Sequence, residues 1–144
     1  MNLLDICDER PASVVPESSV AAAIKLMVDR SVGAVAVVDS EQRVSGIFTE
    51  RDVLRKIALS GRDPNSMLVS EVMTTPVEMA TAETTAGEAL SAMVGSHFRH
   101  LPIVDGRGRL LGMLSVRNLL QAHIDDLMHQ LDCMDQYVND APGG

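Results

Sequence analysis

The strongest constraint in this sequence is that the chain repeats itself. A constant offset of 66 positions, which takes Gly46 to Gly112, aligns residues 20–56 with residues 86–122 without a gap. Nine of these 37 positions are identical, and most of the others exchange like for like. An ungapped match concentrated at turns and apolar positions indicates a duplicated unit. The identical pairs are Ala23/Ala89, Met27/Met93, Val28/Val94, Val38/Val104, Asp39/Asp105, Arg43/Arg109, Gly46/Gly112, Arg51/Arg117 and Leu54/Leu120.

Each copy has the pattern of a helix, a β-hairpin and a second helix. Ser18 or Ser19, and Thr84 or Thr85, are N-cap candidates for helices whose apolar residues recur at helical spacing. The runs "GAVAVVD" and "RHLPIVD" end in the turn sequences "DSEQR" and "DGRGR", and a second apolar run follows each turn. The segment "GRDPNSM" has the Gly, Pro and Asn of a linker. The sequence therefore predicts a mixed helix and strand fold, built twice.

The hairpins and the residues after them resemble a known family. The segment "GIFTERD" and its counterpart in "RHLPIVDGRGRLLGMLSVRN" look like the paired motifs of a tandem pair of cystathionine-β-synthase (CBS) domains, and the resemblance covers about residues 3–123. It implies a stand-alone CBS-domain signalling protein of α/β (α+β) class, with two β-α-β-β-α repeats in pseudo-two-fold symmetry and a C-terminal helix. We expect repeats at 1–62 and 69–123, a linker at 63–68, and an acidic C-terminal helix and tail at 124–144.

Charge and composition argue against several classes of function. The formal net charge is -8, whereas a protein that binds nucleic acid needs a basic surface to neutralise phosphates. No apolar run approaches the roughly 20 residues that span a bilayer, and the first residues carry acids where a secretory signal carries bases. Cys7 and Cys133 lie far apart and give no disulfide framework. We therefore expect a cytoplasmic protein that binds neither nucleic acid nor membrane.

No residue pattern indicates catalysis or a metal centre. The sequence contains no Gly-x-Ser-x-Gly elbow, Walker loop or dinucleotide fingerprint, so we expect a protein that is not an enzyme and has no obligatory cofactor. His97 and His100 lie close together, as do His129 and Cys133, but neither pair has the further ligands that zinc requires. We predict no catalytic residues and no metal site.

Thr49 and Asp52, in "GIFTERD", have the spacing of a capping box. In this structural explanation, the threonine hydroxyl accepts an amide of the first helical turn and the carboxylate reaches back to the threonine amide. No ligand is needed. Ser115 and Asn118 repeat the spacing in the second copy, and both can serve near a helix start.

The same residues have a second explanation, in which they bind a ligand. A helix start favours phosphate, Thr49 adds a hydroxyl donor and Arg51 adds a cation. Asp52 can accept hydrogen bonds from two neighbouring ribose hydroxyls. Ile47 could lie against a flat base, and Gly46 leaves room for a close approach of the backbone. Both explanations are open at this point.

The resemblance implies two clefts that take adenosine nucleotides such as AMP, ADP or ATP as regulatory ligands. Each cleft combines the motif of one copy with the lead-in segment of the other copy, which we define as residues 32–34 in the first copy and 98–100 in the second. The first cleft would contain Ile47, Thr49, Arg51, Asp52, Phe98, Arg99 and His100, and the second, weaker cleft would contain Val32, Gly33, Ala34, Met113, Ser115 and Asn118.

We expect these two clefts to be unequal. The first contains the carboxylate of Asp52 and up to two cations from its lead-in segment, whereas the second has the uncharged Asn118 and no cation from its lead-in segment. Losing a charge-assisted pair typically weakens binding by about 1 to 3 kcal/mol. The second cleft should bind more weakly or stay empty.

The end of the chain is both acidic and apolar. All twelve Lys and Arg residues lie at or before Arg117, and five aspartates follow it. Six apolar residues then alternate at spacings of four and three, a coiled-coil register of about two and a half heptads. We expect this helix to pack on the module of its own or a neighbouring subunit. The six residues are Leu120, Ile124, Leu127, Leu131, Met134 and Val138.

Two functions from different classes compete. The resemblance implies a homodimer that senses an adenosine-containing small molecule and signals to an effector protein, which the sequence does not identify. The alternative is a ligand-free structural or dimerisation module whose Thr-x-x-Asp motif is only a helix cap. A thermal shift with nucleotide distinguishes them, because only a ligand that binds the folded chain raises its stability.

Overall fold

The computed structural model describes residues 2–140, and side chains within residues 2–135. The tail at 141–144 and the side chain of Val138 lie outside the described residues. The helices are α1 (Leu3–Ile6), α2 (Val20–Arg30), α3 (Glu50–Asp52, continued by a π-helical segment, Val53–Ile57), α4 (Val69–Val72), α5 (Ala86–Ser96) and α6 (Val116–Asp140). The strands are β1 (Ser13–Val14), β2 (Ala34–Val38), β3 (Val44–Thr49), β4 (His100–Val104) and β5 (Leu110–Ser115).

The two hairpins have the same register at the offset of 66. Val35 pairs with Phe48 in the first copy, and Leu101 pairs with Leu114 in the second. β1 adds a parallel strand beside β2, and Ala80 forms the matching parallel bridge beside β4. The prediction of a mixed helix and strand fold with two β-α-β-β-α repeats and a C-terminal helix is confirmed.

Side-chain caps fix the starts of the two long helices that precede the hairpins. The hydroxyl of Ser19 accepts the amide of Ala22 at 3.1 Å, and that of Thr85 accepts the amide of Glu88 at 3.1 Å. Of the cap candidates in the sequence, Ser19 and Thr85 are therefore the N-caps of α2 and α5.

The two apolar cores exchange segments of chain. Leu3, from the start of the first predicted repeat, is fully buried in the core of the second copy with Leu101 and Leu114. Met67, from the predicted linker, and Val69, from the start of the second predicted repeat, are buried in the core of the first copy. Hydrophobic packing thus crosses the predicted boundaries, and the division into 1–62, 63–68 and 69–123 remains a prediction about the sequence repeat.

Two crossing segments, residues 7–8 and 73–74, pass against the edge of the other copy's hairpin. Thr74 pairs with Ile47, and Asp8 pairs in the same way with Met113. The approach is close at the repeated glycines. A Cβ at Gly46 would lie 2.7 Å from the sulfur of Met73, and one at Gly112 would lie 2.6 Å from the sulfur of Cys7. The close approach expected at Gly46 is therefore made by the chain itself.

A third apolar cluster joins the two copies. Ala34, Ala36, Val38 and Ile47 of the first copy pack with Met113 of the second, and all five are buried. The hairpin strands of both copies therefore face each other across the pseudo-two-fold axis, with the two motif segments carried at the ends of β3 and β5.

The C-terminal helix leaves the body of the chain. It contacts α1, α5 and β5, but every residue from 123 to 135 is exposed. Of the two expected packing partners of this helix, its own module does not cover residues 123–135, and packing on a neighbouring subunit stays a prediction. Among the described residues, no helix is long and apolar enough to cross a membrane.

Replacing Leu3 with alanine tests the exchange of segments. Because Leu3 is fully buried in the second core, Leu3→Ala is expected to lower the free energy of unfolding by about 2 to 5 kcal/mol, measured by urea denaturation. Leu59→Ala, at an almost fully exposed leucine, is the control and should change it by less than about 0.5 kcal/mol. Equal effects of the two substitutions would show that the N-terminal segment does not belong to the core.

Candidate functional site

Thr49 and Asp52 form the capping box at the end of β3. The amide and hydroxyl of Thr49 donate to Oδ2 of Asp52 at 3.0 and 3.2 Å. The amide of Asp52 donates in return to the hydroxyl of Thr49 at 3.3 Å. The local geometry expected from the structural explanation is therefore present.

The second oxygen of Asp52 is also occupied, by residues that are not among the predicted site residues. Oδ1 accepts the hydroxyl of Thr74 at 3.0 Å and lies 3.1 Å from Nζ of Lys56, which also donates to the carbonyl of Val72. Asp52 is only 5% exposed. Since a carboxylate has about four acceptor positions, the chain itself uses all of them. A ribose could bind Asp52 only by displacing Lys56 or Thr74.

The second copy has the same cap without the additional contacts. The amide and hydroxyl of Ser115 donate to Oδ1 of Asn118, both at 2.9 Å, and the amide of Asn118 donates to the Ser115 hydroxyl at 3.0 Å. Asn118 is half-buried. Within residues 2–135, no acceptor is found for its side-chain NH₂ group. The two motifs therefore differ in their surroundings rather than in their caps.

The first amide of each motif helix is already bonded. The amide of Glu50 donates to the carbonyl of Gly33 at 3.0 Å, and the amide of Val116 donates to the carbonyl of Arg99 at 2.9 Å. Each lead-in segment thus accepts a hydrogen bond from the first amide of the motif helix in its own copy. The phosphate site expected at the helix start therefore has fewer open amides than an isolated helix offers.

The motif of the first copy meets the second copy just before β4. Arg51 donates a hydrogen bond to the carbonyl of His97. His100 lies beside Gly33, where a Cβ would be 3.1 Å from Cε1 of its ring. His100 is also close enough to Glu50 for that carboxylate to affect its titration. The structure therefore brings the first-cleft motif together with the segment at residues 97–100.

The other predicted cleft residues differ in how much surface they offer. Ile47 is only 5% exposed, so a base could contact little of it. Ala34 and Met113 are buried in the cluster between the copies. Arg99 is exposed, and Phe98 packs partly against the second core. The remaining members, Val32, Gly33, Thr49 and Ser115, are half-buried.

Burial lowers the pKa of His100 below its ordinary value of about 6.5. The nearby carboxylate of Glu50 opposes this shift, and the cation of Arg99 adds to it. The imidazole is therefore neutral at pH 7. Of the two cations expected from the lead-in segment, only Arg99 carries its charge.

An apolar groove of about 560 Å³ lies in the first copy between the end of α2 and α3. Val28 and Leu54 line it and are 70% and 71% exposed. Both are identical to their counterparts in the second copy, Val94 and Leu120, which is a sequence signal for a shared exposed face. Its other lining residues are Ile24, Met27, Ser31, Val32, Glu50 and Val53.

Among the described residues, the structure adds no further metal ligand to the pair His97 and His100 or to the pair His129 and Cys133. Sγ of Cys133 lies 3.8 Å from Nε2 of His129 on the exposed part of α6. In the described part of the chain, no group of three or more His, Cys, Asp or Glu side chains could hold a metal ion.

These features define a class of protein: a duplicated α/β module whose halves exchange segments and place a motif of one half beside the other. The model of the CBS domain matches residues 4–59 and 69–125. The chain belongs to the CBS-domain family, and the resemblance in the sequence is confirmed.

Several relatives support this assignment. An uncharacterized 17.7 kDa protein of Acidianus ambivalens is 41% identical over 112 residues, which is 78% of this chain and 66% of that protein. This chain spans 53 to 66% of the length of that protein and of two further curated relatives.

Solved structures have the same fold. A protein with CBS domains from Burkholderia ambifaria is 32% identical, with a TM-score of 0.81 over 88% of this chain and 96% of that one. The protein CBSX2, solved in complex with AMP, is 25% identical, with a TM-score of 0.77 over 86% and 97% of the two chains.

The lowered pKa of His100 predicts a pH dependence of stability. Below about pH 6.5, the unfolded chain binds more protons at this histidine than the folded chain does. The stability that neutral His100 contributes is therefore complete above that pH and is lost as the pH falls toward the folded pKa. The free energy of unfolding should therefore decrease as the pH falls below about 6.5, and His100→Gln should reduce this decrease. Urea denaturation at each pH measures it, with His123→Gln, at an exposed histidine, as control. The same pH slope in wild type and His100→Gln would contradict this assignment.

Proposed function

We propose that the chain is a regulatory module that binds an adenosine nucleotide between its two repeats and signals to a partner protein. One observation carries the proposal: Arg51 of the first motif contacts residue His97 of the second copy, and His100 lies against Gly33. A ligand held by these residues touches both copies. The AMP complex of CBSX2 supports an adenosine ligand.

The roles of the first-cleft residues follow from their chemistry. Arg51 and Arg99 are exposed cations suited to the phosphate, and neutral His100 can donate or accept one hydrogen bond. Asp52 takes the ribose hydroxyls once Lys56 or Thr74 releases it. Exchange of these contacts is the proposed signal.

The proposed signal has a direct route to the fold. Thr74 belongs to a crossing segment, and its backbone pairs with Ile47 on β3. A ribose that replaces the hydroxyl of Thr74 at Asp52 removes one contact between this segment and the first copy. Because a ligand shifts a conformational equilibrium only through different contacts in the two states, this exchange supplies the necessary difference.

A specific observation also favours the alternative function. All four acceptor positions of Asp52 are filled by the chain, and both motifs form the same cap. A ligand-free structural or dimerisation module would need nothing more from the motif. Ligand binding itself therefore has to be measured.

Calorimetric titration with AMP, ADP and ATP tests the proposal. We expect one tight site per chain, a weaker or empty second site, and a loss of at least about tenfold, or about 1.4 kcal/mol, in Asp52→Asn. The asparagine should keep the cap, because Asn118 forms the same three hydrogen bonds. Asp29→Asn, at an exposed aspartate on α2, is the matched control.

Thermal unfolding provides the second measurement. A nucleotide at 100 times its Kd should stabilise the chain by about 2.7 kcal/mol. No shift with any nucleotide would favour the structural module, and two equal sites per chain would contradict the proposed difference between Asp52 and Asn118.

We also propose that the module acts as a homodimer. Both copies expose the same apolar residues: Val28 and Val94 are 70% and 67% exposed, and Leu54 and Leu120 are 71% and 54% exposed. Exposed apolar residues that recur in both halves support a surface that a second copy covers. The exposed cations Arg51 and Arg55 of a neighbouring subunit would complement the acidic α6.

Sedimentation measures the dimer. The wild type is expected to sediment as a dimer, and Leu54→Asp combined with Leu120→Asp should convert it to a monomer because charges would be buried in the interface. Leu59→Asp is the control, since Leu59 is almost fully exposed and its counterpart in the repeat is Asp125. A monomeric wild type, or a dimer that survives the double substitution, would refute this arrangement.

A further inference from the structure

The turns of the two hairpins meet and enclose a charged groove. The amide of Val44 donates to the carbonyl of Gly108 at 3.0 Å, and the amide of Leu110 donates to the carbonyl of Gln42 at 3.0 Å. A groove of about 680 Å³ lies at this junction. We call it the turn groove, and its lining residues are Glu41, Arg43, Arg107 and Arg109.

The turn groove is separate from the proposed adenosine cleft. The turns join the far ends of the hairpins, whereas Thr49 lies at the opposite end of β3, which has six residues. At about 3.3 Å per residue, roughly 17 to 20 Å of strand separates the groove from the motif. A ligand of the groove is therefore a different ligand site.

Two arginines that line the turn groove lie directly opposite each other. Arg43 and Arg109 face each other across an antiparallel bridge. Like charges directly opposite each other on paired strands are destabilising. Arg107 adds a third positive charge to the lining, which contains the carboxylate of Glu41. The neighbouring Asp39 and Asp105 balance the other two arginines, so these six side chains are formally neutral together and the binding capacity lies in the free guanidinium donors.

Two aspartates fix the arginines from outside the groove. Oδ2 of Asp39 holds Nε of Arg43 at 3.2 Å, and Oδ2 of Asp105 holds Nε of Arg109 at 2.8 Å. The backbone amides of the same two arginines bind Oδ1 of these aspartates and are the largest cause that lowers the pKa of each. The aspartates therefore stay ionised and keep both guanidinium groups in place.

This anchoring leaves several guanidinium donors of exposed arginines without a partner within residues 2–135. Arg43 uses one terminal nitrogen on Glu41 at 2.9 Å. Within residues 2–135, no partner is found for the guanidinium of Arg107 or for the terminal nitrogens of Arg109. Guanidinium groups with open terminal nitrogens bind phosphate oxygens in a bidentate manner.

We propose that the turn groove binds a small molecule with two or more linked phosphate groups. The ligand would bridge Arg43 of the first copy and Arg107 and Arg109 of the second. Three guanidinium groups in a groove of this volume match several phosphate oxygens better than they match one isolated phosphate. Because both copies contribute, the ligand would hold the two hairpins together.

Titration of the full chain with inorganic pyrophosphate, without nucleotide and at low ionic strength, tests the proposal. We expect one site per chain, at least tenfold weaker binding in Arg107→Gln and in Arg109→Gln, and at least tenfold weaker binding of orthophosphate. Arg62→Gln is the matched control, because Arg62 is an exposed arginine paired with Glu71 at 2.9 Å and lies outside the groove. Because the side chains of the groove are exposed, we expect the variants to fold, and thermal melts check this.

Further measurements locate the anion and its source. In a ¹⁵N-labelled chain, pyrophosphate should shift the amide signals of residues 39–43 and 105–109, and Arg51→Gln should not alter its affinity. Titration of the same variants with ATP shows whether the phosphates belong to a nucleotide. If they do, Arg107→Gln weakens the binding of ATP. If the ligand is inorganic, Arg107→Gln weakens only the binding of pyrophosphate.

Three outcomes would overturn the proposal. The first is no binding of pyrophosphate. The second is binding that Arg107→Gln and Arg109→Gln leave unchanged, which would mean an adventitious ion only. The third is binding that Arg51→Gln removes while Arg107→Gln retains it, which would assign the anion to the adenosine cleft.

Discussion

The rest of the structure depends on the contacts that each crossing segment makes with the hairpin of the other copy. Residues 73–74 pair with β3 of the first copy, and residues 7–8 pair with β5 of the second. Both contacts favour a position without a side chain, because a Cβ at Gly46 or Gly112 would also lie only 3.1 or 3.0 Å from the carbonyl oxygen of Thr74 or Asp8. Each core is completed by a segment from the far side of a predicted boundary, so neither repeat buries its apolar face alone.

The exchange also determines what the proposed site can do. Thr74 comes from a crossing segment and binds the carboxylate of Asp52, whose other partners, Thr49 and Lys56, belong to the first copy. The state of Asp52 is thus connected to the relation between the two copies. A ligand that takes over one acceptor position of Asp52 acts on a contact of the fold, which is how a small molecule could change the whole module.

Much of the fold could be predicted from the sequence because its signals are local. The turns, the caps at Ser19 and Thr85 and the duplicated hairpins depend on residues near one another in the chain. The crossing segments depend on tertiary packing, and no periodicity marks Leu3 as part of the second core. The same limit applies to the site: the Thr49 and Asp52 spacing predicts the cap, whereas the contact with Thr74, 22 residues away, does not follow from spacing.

The difference between Asp52 and Asn118 is accompanied by a difference in the residues around them. At the offset of 66, Asp8 takes the place of Thr74 and Ala122 takes the place of Lys56. The bridge between Asp8 and Met113 is equivalent to that between Thr74 and Ile47.

The carboxylate of Asp8 accepts the amide of Arg10 at 2.9 Å, whereas Thr74 and Lys56 both bind the carboxylate of Asp52. Asn118 keeps the cap without either of these partners. The asymmetry of the motifs therefore includes their neighbours, so the identity of residue 118 alone does not decide whether that cleft is used.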